Sequence, residues 1–138
     1  MERILIAVVL VGLAVLVAYL VQRRQPVAQR PPSFNVPTHL DRADFADPGK
    51  PWLVAAFVSS TCDTCAGVLE RVRPLASDEV AIAEHNSVSE ADLHERYGVD
   101  AVPLVIVTDA QGQVLHHVFG PVTAADLWAK LAELRDTP

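Results

Sequence analysis

The sequence lacks the patterns that mark several common classes of enzyme. It has no glycine-rich phosphate loop, no Ser/His/Asp arrangement, no paired-carboxylate pattern and no internal repeat. Positive charge is scarce in its C-terminal three quarters, where residues 34–138 contain 16 Asp and Glu residues against 7 Lys and Arg residues, a net charge of −9. Because a domain of this charge repels nucleic acid, we expect no nucleic-acid partner.

Cysteine is equally scarce, and its placement is the most specific chemical signal in the chain. The segment "SSTCDTCAG" (59–67) holds both cysteines, Cys62 and Cys65, with two residues between them. Three uses fit such a pair: a redox-active dithiol, half of a metal site, or a small structural staple. The secondary structure predicted around the pair distinguishes these uses.

One long hydrophobic run stands apart from the rest of the chain. Residues 4–21 carry no charge, and a helix of this length covers about 27 Å, close to the thickness of a bilayer core. A core helix would show a polar face, and a signal peptide would have a shorter apolar run and a cleavage site. We predict a tail at 1–3, a single-pass transmembrane helix at 4–21, a tether rich in proline and arginine at 22–35, and a domain at 36–138.

Two arguments about the side of the membrane disagree. Arg23, Arg24 and Arg30 follow the hydrophobic run and Arg3 precedes it, which weakly favours a cytoplasmic domain. Disulfides persist outside the cytoplasm, and proteins that handle them are needed there. We therefore expect a cell-membrane protein with an extracytoplasmic domain, and the cytoplasmic orientation stays open as the alternative.

The domain alternates between strand and helix patterns. Apolar runs predict strands within 36–40, 52–60, 80–88, 104–109 and 114–120, and helical patterns occupy 65–73, 89–98 and 124–135. Ser89 and Asp92 have capping-box spacing, and Thr123 precedes the last helix as a cap. This alternation predicts an α/β domain with a small sheet flanked by helices.

The cysteine pair follows a strand that is apolar on both faces and opens a helix. Backbone N–H groups and the helix dipole stabilise an anion at a helix N-terminus, which lowers the pKa of a cysteine thiol there. A cysteine three residues later can reach back and resolve a mixed disulfide. This placement predicts Cys62 as the attacking thiol and Cys65 as the resolving thiol.

The motifs together resemble the thioredoxin superfamily over roughly residues 36–135. Cys62-Asp63-Thr64-Cys65 matches the active-site motif of the family, and "RYGVDAVPL" (96–104) is similar to the segment that ends in its cis-proline. The resemblance implies a thioredoxin-like fold with a central mixed sheet and a redox-active disulfide that needs no cofactor. It also implies a cis Val102–Pro103 bond, with the backbone of Val102 and the ring of Pro103 binding substrate.

The sequence departs from thioredoxin itself near the cysteines. Thr61 replaces the usual tryptophan, Ala56 replaces a buried carboxylate, and Asp63-Thr64 replaces Gly-Pro. The comparison is closer with membrane-anchored thioredoxin-like thiol–disulfide proteins, and we predict an oxidoreductase that exchanges disulfides with protein partners. Its electron donor, membrane-bound or soluble, is not specified by the sequence.

Two alternatives from other functional classes remain. The domain could be a non-catalytic docking module with a fixed Cys62–Cys65 disulfide, or a copper-delivery protein that adds a histidine to the two cysteines. We expect His39, His85 and His94 on the surface, and Trp52 and Trp128 packed against the domain.

Overall fold

A computed structural model describes Met1, residues 12–17 and residues 34–137. Residues 12–17 are helical, and the rest of the predicted membrane span at 4–21 and residues 22–33 of the predicted tether lie outside the described residues. Within the described part of the chain, no helix has both the length and the apolar character that crossing a bilayer requires. Contacts divide the chain into two units, Met1–Ser33 and Phe34–Pro138.

The second unit is built on a four-stranded mixed sheet. Its strands are β1 (Trp52–Val58), β2 (Val80–Asn86), β3 (Leu104–Thr108) and β4 (Val114–Phe119). They lie in the order β2-β1-β3-β4, with β2 parallel to β1, and with β3 antiparallel to both β1 and β4. The α/β sheet expected from the sequence is confirmed.

Three helices complete the domain: α1 (Cys65–Val72), α2 (Ala91–Arg96) and α3 (Ala124–Asp136). The hydroxyl of Thr123 accepts a hydrogen bond of 3.1 Å from the Asp126 N–H and caps α3 as predicted. Pro74 lies in a short 3-10 turn, Arg73–Leu75, that directly follows α1. The helix therefore ends where the sequence predicts, because proline cannot continue its hydrogen-bond ladder.

The sheet separates two apolar clusters, and the central strand β1 contributes to both. Val54, Ala56 and Val58 lie in one cluster with side chains of α1 and α3. Leu53, Ala55 and Phe57 lie in the other, which Leu93 of α2 also contacts. Alternate residues of a strand point to opposite faces, so a strand covered on both sides has the continuous apolar sequence seen here.

Two local predictions were wrong. Residues 36–40 form a single bridge, His39 to Gln113, instead of a strand; Pro37 has no N–H to give to a ladder. The capping box at Ser89 does not form either, since α2 starts at Ala91 after Glu90 and has no side-chain cap. The Glu90 carboxylate instead binds the His85 ring at 2.9 Å and the Asn86 N–H at 3.0 Å.

The expectation of surface positions for His85 and His94 was also wrong. Both are buried, with exposed fractions of 8% and 6%, and both rings pack against Phe57. The prediction for Trp128 fails in the opposite sense, because its side chain is 44% exposed. Leu127 and Leu131 of the same helix face the core, which leaves the adjacent position directed toward solvent.

Candidate active site

The cysteine motif lies in the connection from β1 to α1. The strand ends at Val58, and the helix begins at Cys65. In between, the Cys62 N–H donates to the Ser59 carbonyl at 3.2 Å, and the Cys65 N–H donates to the Cys62 carbonyl at 3.3 Å. These two bonds bring the cysteine Cα atoms to 5.5 Å, and the side chains form a disulfide.

The two cysteines differ in their exposure to solvent. Cys62 is half-buried, whereas Cys65 is 2% exposed and belongs to the apolar cluster under α1. A partner that approaches from solvent therefore meets Cys62 first. This asymmetry suits one sulfur for attack from outside and the other for an internal reaction.

The surroundings of Cys65 are apolar. Cys65 belongs to an apolar cluster that includes Val68 and Val72 of α1, and Ala56 is fully buried in the same cluster. Burial in such surroundings favours a neutral thiol over a thiolate when the disulfide is reduced. Among the described residues the buried polar or charged side chains are those of Arg42, His85, His94 and Thr108, and none of them is a carboxylate that could accept the proton of Cys65. That proton must leave by water or by a substrate group.

The other residues of the motif are exposed, and one of them faces the Cys62 sulfur. The hydroxyl oxygen of Thr64 lies 3.6 Å from Cys62 Sγ, within hydrogen-bond range for sulfur. The hydroxyl of Thr61, by contrast, pairs with that of Ser59 at 3.0 Å. Asp63 is exposed between the cysteines. Thr64 can therefore donate a hydrogen bond to a reduced Cys62.

Asn86 holds the loop between the end of β1 and Cys62, a role that we did not predict from the sequence. Its side-chain oxygen accepts hydrogen bonds from the Ser60 N–H at 3.3 Å and from the Val88 N–H at 3.0 Å. The Ser87 N–H also donates to the Val58 carbonyl at 2.8 Å. The end of β2 thus holds the loop that leads to Cys62. An asparagine at a strand end before a turn is the local signal that could have indicated this role.

The Val102–Pro103 peptide bond is cis, as predicted. Leu104, which follows, pairs with Phe57 near the end of β1, and the Pro103 carbonyl accepts a hydrogen bond of 2.9 Å from the Gly120 N–H. Val102 packs against both apolar clusters. The segment that begins β3 and the segment that carries Cys62 therefore lie at the same end of the sheet, on neighbouring strands.

Charged side chains around the domain pair with one another. Hydrogen bonds from Arg73, at 2.6 Å and 2.8 Å, hold the pKa of Glu84 below its usual range. On the other face of the sheet, burial and a 2.6 Å hydrogen bond to Asp44 raise the pKa of Tyr97 to about 12.

Hydrogen bonds lower the pKa values of two other acidic residues, Asp44 and Glu90. Hydrogen bonds from the Tyr97 hydroxyl and the Arg96 guanidinium lower the pKa of Asp44. Burial raises the pKa of Glu90, but the bonds from His85 and Asn86 outweigh it, and the net shift is downward. Across residues 34–137, no group of three or more His, Cys, Asp or Glu side chains is placed to hold a metal ion.

No family model and no curated protein matches the sequence. Solved structures do match the fold. A mutant thioredoxin from Halobacterium salinarum NRC-1 aligns with a TM-score of 0.55 and 22% identity, over 62% of this chain and 76% of the other. The thioredoxin Mala s 13 from Malassezia sympodialis aligns with a TM-score of 0.52 and 18% identity, over 61% of this chain and 75% of the other.

These likenesses concern the fold of the domain. The domain has a mixed four-stranded sheet, a disulfide from the β1–α1 connection to the first residue of α1, and a cis-proline before β3. The chain has a thioredoxin-like fold.

Proposed function

We propose that this chain is a membrane-tethered thiol–disulfide oxidoreductase that exchanges disulfides with protein partners through Cys62 and Cys65. One observation supports this most: a disulfide after a buried central strand joins the half-buried Cys62 to Cys65, which is only 2% exposed. A structural staple gains nothing from that asymmetry. A two-step exchange reaction requires it, because one sulfur must meet the substrate and the other must not.

The reduced cysteine pair would reduce a substrate disulfide in two steps. The Cys62 thiolate attacks one substrate sulfur, forms a mixed disulfide and expels the other substrate sulfur as a thiolate. The Cys65 sulfur, after losing its proton to water or to that thiolate, attacks Cys62 and releases the second substrate thiolate. The substrate gains two electrons and the Cys62–Cys65 disulfide closes. In the opposite direction the same steps oxidise a substrate dithiol.

The segment beside Cys62 suits an extended substrate chain. In this proposal the backbone of Val102, next to the cis Pro103, pairs with the substrate while its sulfur faces Cys62. Val102 and Pro103 directly precede β3, the strand adjacent to β1, at the end of the sheet where the cysteines lie. Thr61, Asp63 and Thr64 line the exposed side of the same site.

The membrane tether rests on the charge-free run at 4–21 and the arginines that follow it. In this proposal the domain is extracytoplasmic and the redox partners are proteins. Fusion of alkaline phosphatase or a cytosolic fluorescent protein to the C-terminal end tests the orientation. Phosphatase activity supports the extracytoplasmic placement, and fluorescence alone contradicts it.

The catalytic proposal is tested by reduction of insulin in the presence of dithiothreitol. We expect the wild-type protein to accelerate the reaction and Cys62→Ser to abolish the acceleration. Cys65→Ser should instead accumulate mixed disulfides with partners, which non-reducing electrophoresis detects. Thr61→Ser is the matched control, since it changes an exposed neighbour and keeps its hydroxyl. If Cys62→Ser retains full activity, the mechanism is wrong.

The same assay separates the enzyme from a docking module. The apolar surroundings of Cys65, with Ala56 in place of a carboxylate, are the feature that favours a fixed disulfide. A docking module would not accelerate insulin reduction, and its disulfide would persist at dithiothreitol concentrations that open a redox-active pair.

A further inference from the structure

Glu90 directly precedes α2 and forms two hydrogen bonds through its carboxylate. One oxygen lies 2.9 Å from His85 Nδ1, and the other accepts the Asn86 N–H at 3.0 Å. Because an ionised carboxylate only accepts hydrogen bonds, the His85 nitrogen is the donor. Neither bond involves a cysteine, so an effect of this carboxylate on the cysteines has to pass through its two partners.

The His85 ring fixes the first of the two carboxylate oxygens. His85 is 8% exposed, and its ring packs against the rings of Phe45 and Phe57, with centroid distances of 5.0 Å and 5.8 Å. Its Nε2 is buried and has no hydrogen-bond partner among the described residues. The bond to Glu90 is therefore the polar contact that holds this ring in place, and the packed ring in turn keeps the carboxylate from turning toward solvent.

The second carboxylate oxygen binds the last N–H of β2. The Ser87 N–H, which follows, points toward β1 and donates to the Val58 carbonyl at 2.8 Å. Successive N–H groups of an extended chain point in opposite directions, so the Asn86 N–H points away from β1. Because β2 lies at an edge of the four-stranded sheet, that N–H has no acceptor in a neighbouring strand of this sheet. Glu90 takes the place of such an acceptor and fixes the backbone of Asn86.

The side chain of Asn86 carries this constraint to the turn that ends at Cys62. The turn is closed by the bond from the Cys62 N–H to the Ser59 carbonyl at 3.2 Å. Ser60 is the second residue of the turn, and its N–H donates to Asn86 Oδ1 at 3.3 Å. A shift of the Asn86 backbone therefore moves the acceptor that holds Ser60, and it tilts the turn on which Cys62 lies.

We propose that Glu90 is a positioning residue for disulfide exchange, and that it acts through Asn86 to hold Cys62 in the direction from which it attacks a substrate sulfur. This inference rests on the proposed function. An attacking sulfur has to approach along the axis of the S–S bond that breaks, so a tilt of the turn misdirects it. Misplacement by about 1 Å, caused by a change far from the reacting atoms, can slow a reaction about 100-fold.

The test is a single turnover of the full chain with insulin as the substrate. The protein is reduced with dithiothreitol, freed of excess reductant and mixed with insulin. Each reaction converts one insulin disulfide to two thiols and closes one Cys62–Cys65 disulfide. Acid stops the reaction, and a maleimide label of high mass then separates the reduced chain from the oxidised chain by electrophoresis. The rate constant for closing the Cys62–Cys65 disulfide is compared between variants.

We expect Glu90→Ala to lower this rate constant about fivefold, the factor that corresponds to one hydrogen bond of ordinary net strength. Glu90→Gln should keep most of the rate, because its amide oxygen can still accept the Asn86 N–H. Glu95→Ala is the matched control, since it removes an exposed glutamate from α2 and should react like the wild type. Equal rates for the two alanine variants, or a Glu90→Gln variant as slow as Glu90→Ala, would overturn the inference.

A double-mutant cycle tests the route through Asn86. Asn86→Ala removes the oxygen that accepts the Ser60 N–H, so it should slow the reaction at least as much as Glu90→Ala does. If Glu90 acts through this side chain, the double variant should be no slower than Asn86→Ala alone. Two effects that multiply would show that Glu90 acts independently of Asn86, and this result would also overturn the inference.

Urea unfolding separates a loss of position from a loss of stability. The rates are compared under conditions in which every variant is folded, and a Glu90→Ala variant that is less stable but reacts at the wild-type rate would overturn the inference. If Glu90→Ala does not fold, Glu90→Asp replaces it, because the shorter side chain keeps the charge but cannot hold both partners. A wild-type chain that does not reduce insulin overturns the proposed function, whereas an active wild type with unaffected Glu90 variants overturns this inference alone.

Discussion

The hydroxyl of Thr64 provides the most direct test of how the site tunes Cys62. Its oxygen lies 3.6 Å from the Cys62 sulfur, and Thr64 is exposed. Hydrogen bonds to charged groups contribute about 1.5–3 kcal/mol, and distance and solvent exposure place this one below that range, at roughly 1 kcal/mol. Thr64→Val keeps the shape of the side chain and removes the donor, so it should destabilise the Cys62 thiolate by about that amount.

The expected shifts follow from this free energy. Because the thiolate loses a hydrogen-bond donor and the thiol loses less, the pKa of Cys62 should rise in the variant. Losing the thiolate interaction destabilises the reduced form, so the potential should become more negative by about 20 mV, since 30 mV corresponds to about 1.4 kcal/mol for two electrons. The pH dependence of iodoacetamide alkylation measures the first shift, and equilibration with glutathione buffers measures the second.

Thr61→Val is the matched control for this prediction. The Thr61 hydroxyl pairs with Ser59 and not with the cysteine sulfur, so this variant should leave both the pKa and the potential close to those of the wild type. The reasoning is refuted if Thr64→Val has no effect on alkylation, or if the two variants shift it equally. A potential that becomes less negative in Thr64→Val would show that the hydroxyl stabilises the oxidised form.

Two further predictions concern charge. We expect the wild-type Cys62–Cys65 pair to have a reduction potential nearer −270 mV than about −120 mV. Asp63→His removes a negative charge beside Cys62 and should make this potential less negative. A wild-type potential above roughly −170 mV, or a more negative potential in the variant, contradicts the electrostatic argument. Hydrogen bonds from Tyr97 and Arg96 lower the pKa of Asp44 in the folded protein. The ionised carboxylate therefore stabilises the fold at pH values above the unfolded-state pKa of about 3.9. This stabilisation is lost as the pH falls through the lower pKa of the folded state. Asp44→Asn should therefore reduce the free energy of unfolding by about 1–2 kcal/mol at pH 7 and by much less near pH 2; urea unfolding with equal differences at both pH values would contradict this.

The sequence determined the features that depend on neighbouring residues. The apolar runs of β1 and β3 predict strands covered on both faces, because a strand in that position needs hydrophobic side chains on both sides. Thr123 and Pro74 mark helix boundaries through hydrogen bonds within one turn. The placement of Cys62 and Cys65 after a strand and at the start of a helix was predicted correctly, because the apolar run before the pair and the helical pattern after it are both local.

Tertiary structure decided the features that depend on distant parts of the chain. The order β2-β1-β3-β4 follows from pairing between strands, which no local pattern specifies. His85 and His94 are buried because both rings pack against Phe57, a residue of another strand that the sequence around each histidine does not specify. Phe34 likewise meets a partner 85 positions away in the sequence. Local sequence sets which elements form, and only packing sets which end of the sheet the chain enters and which sulfur faces solvent.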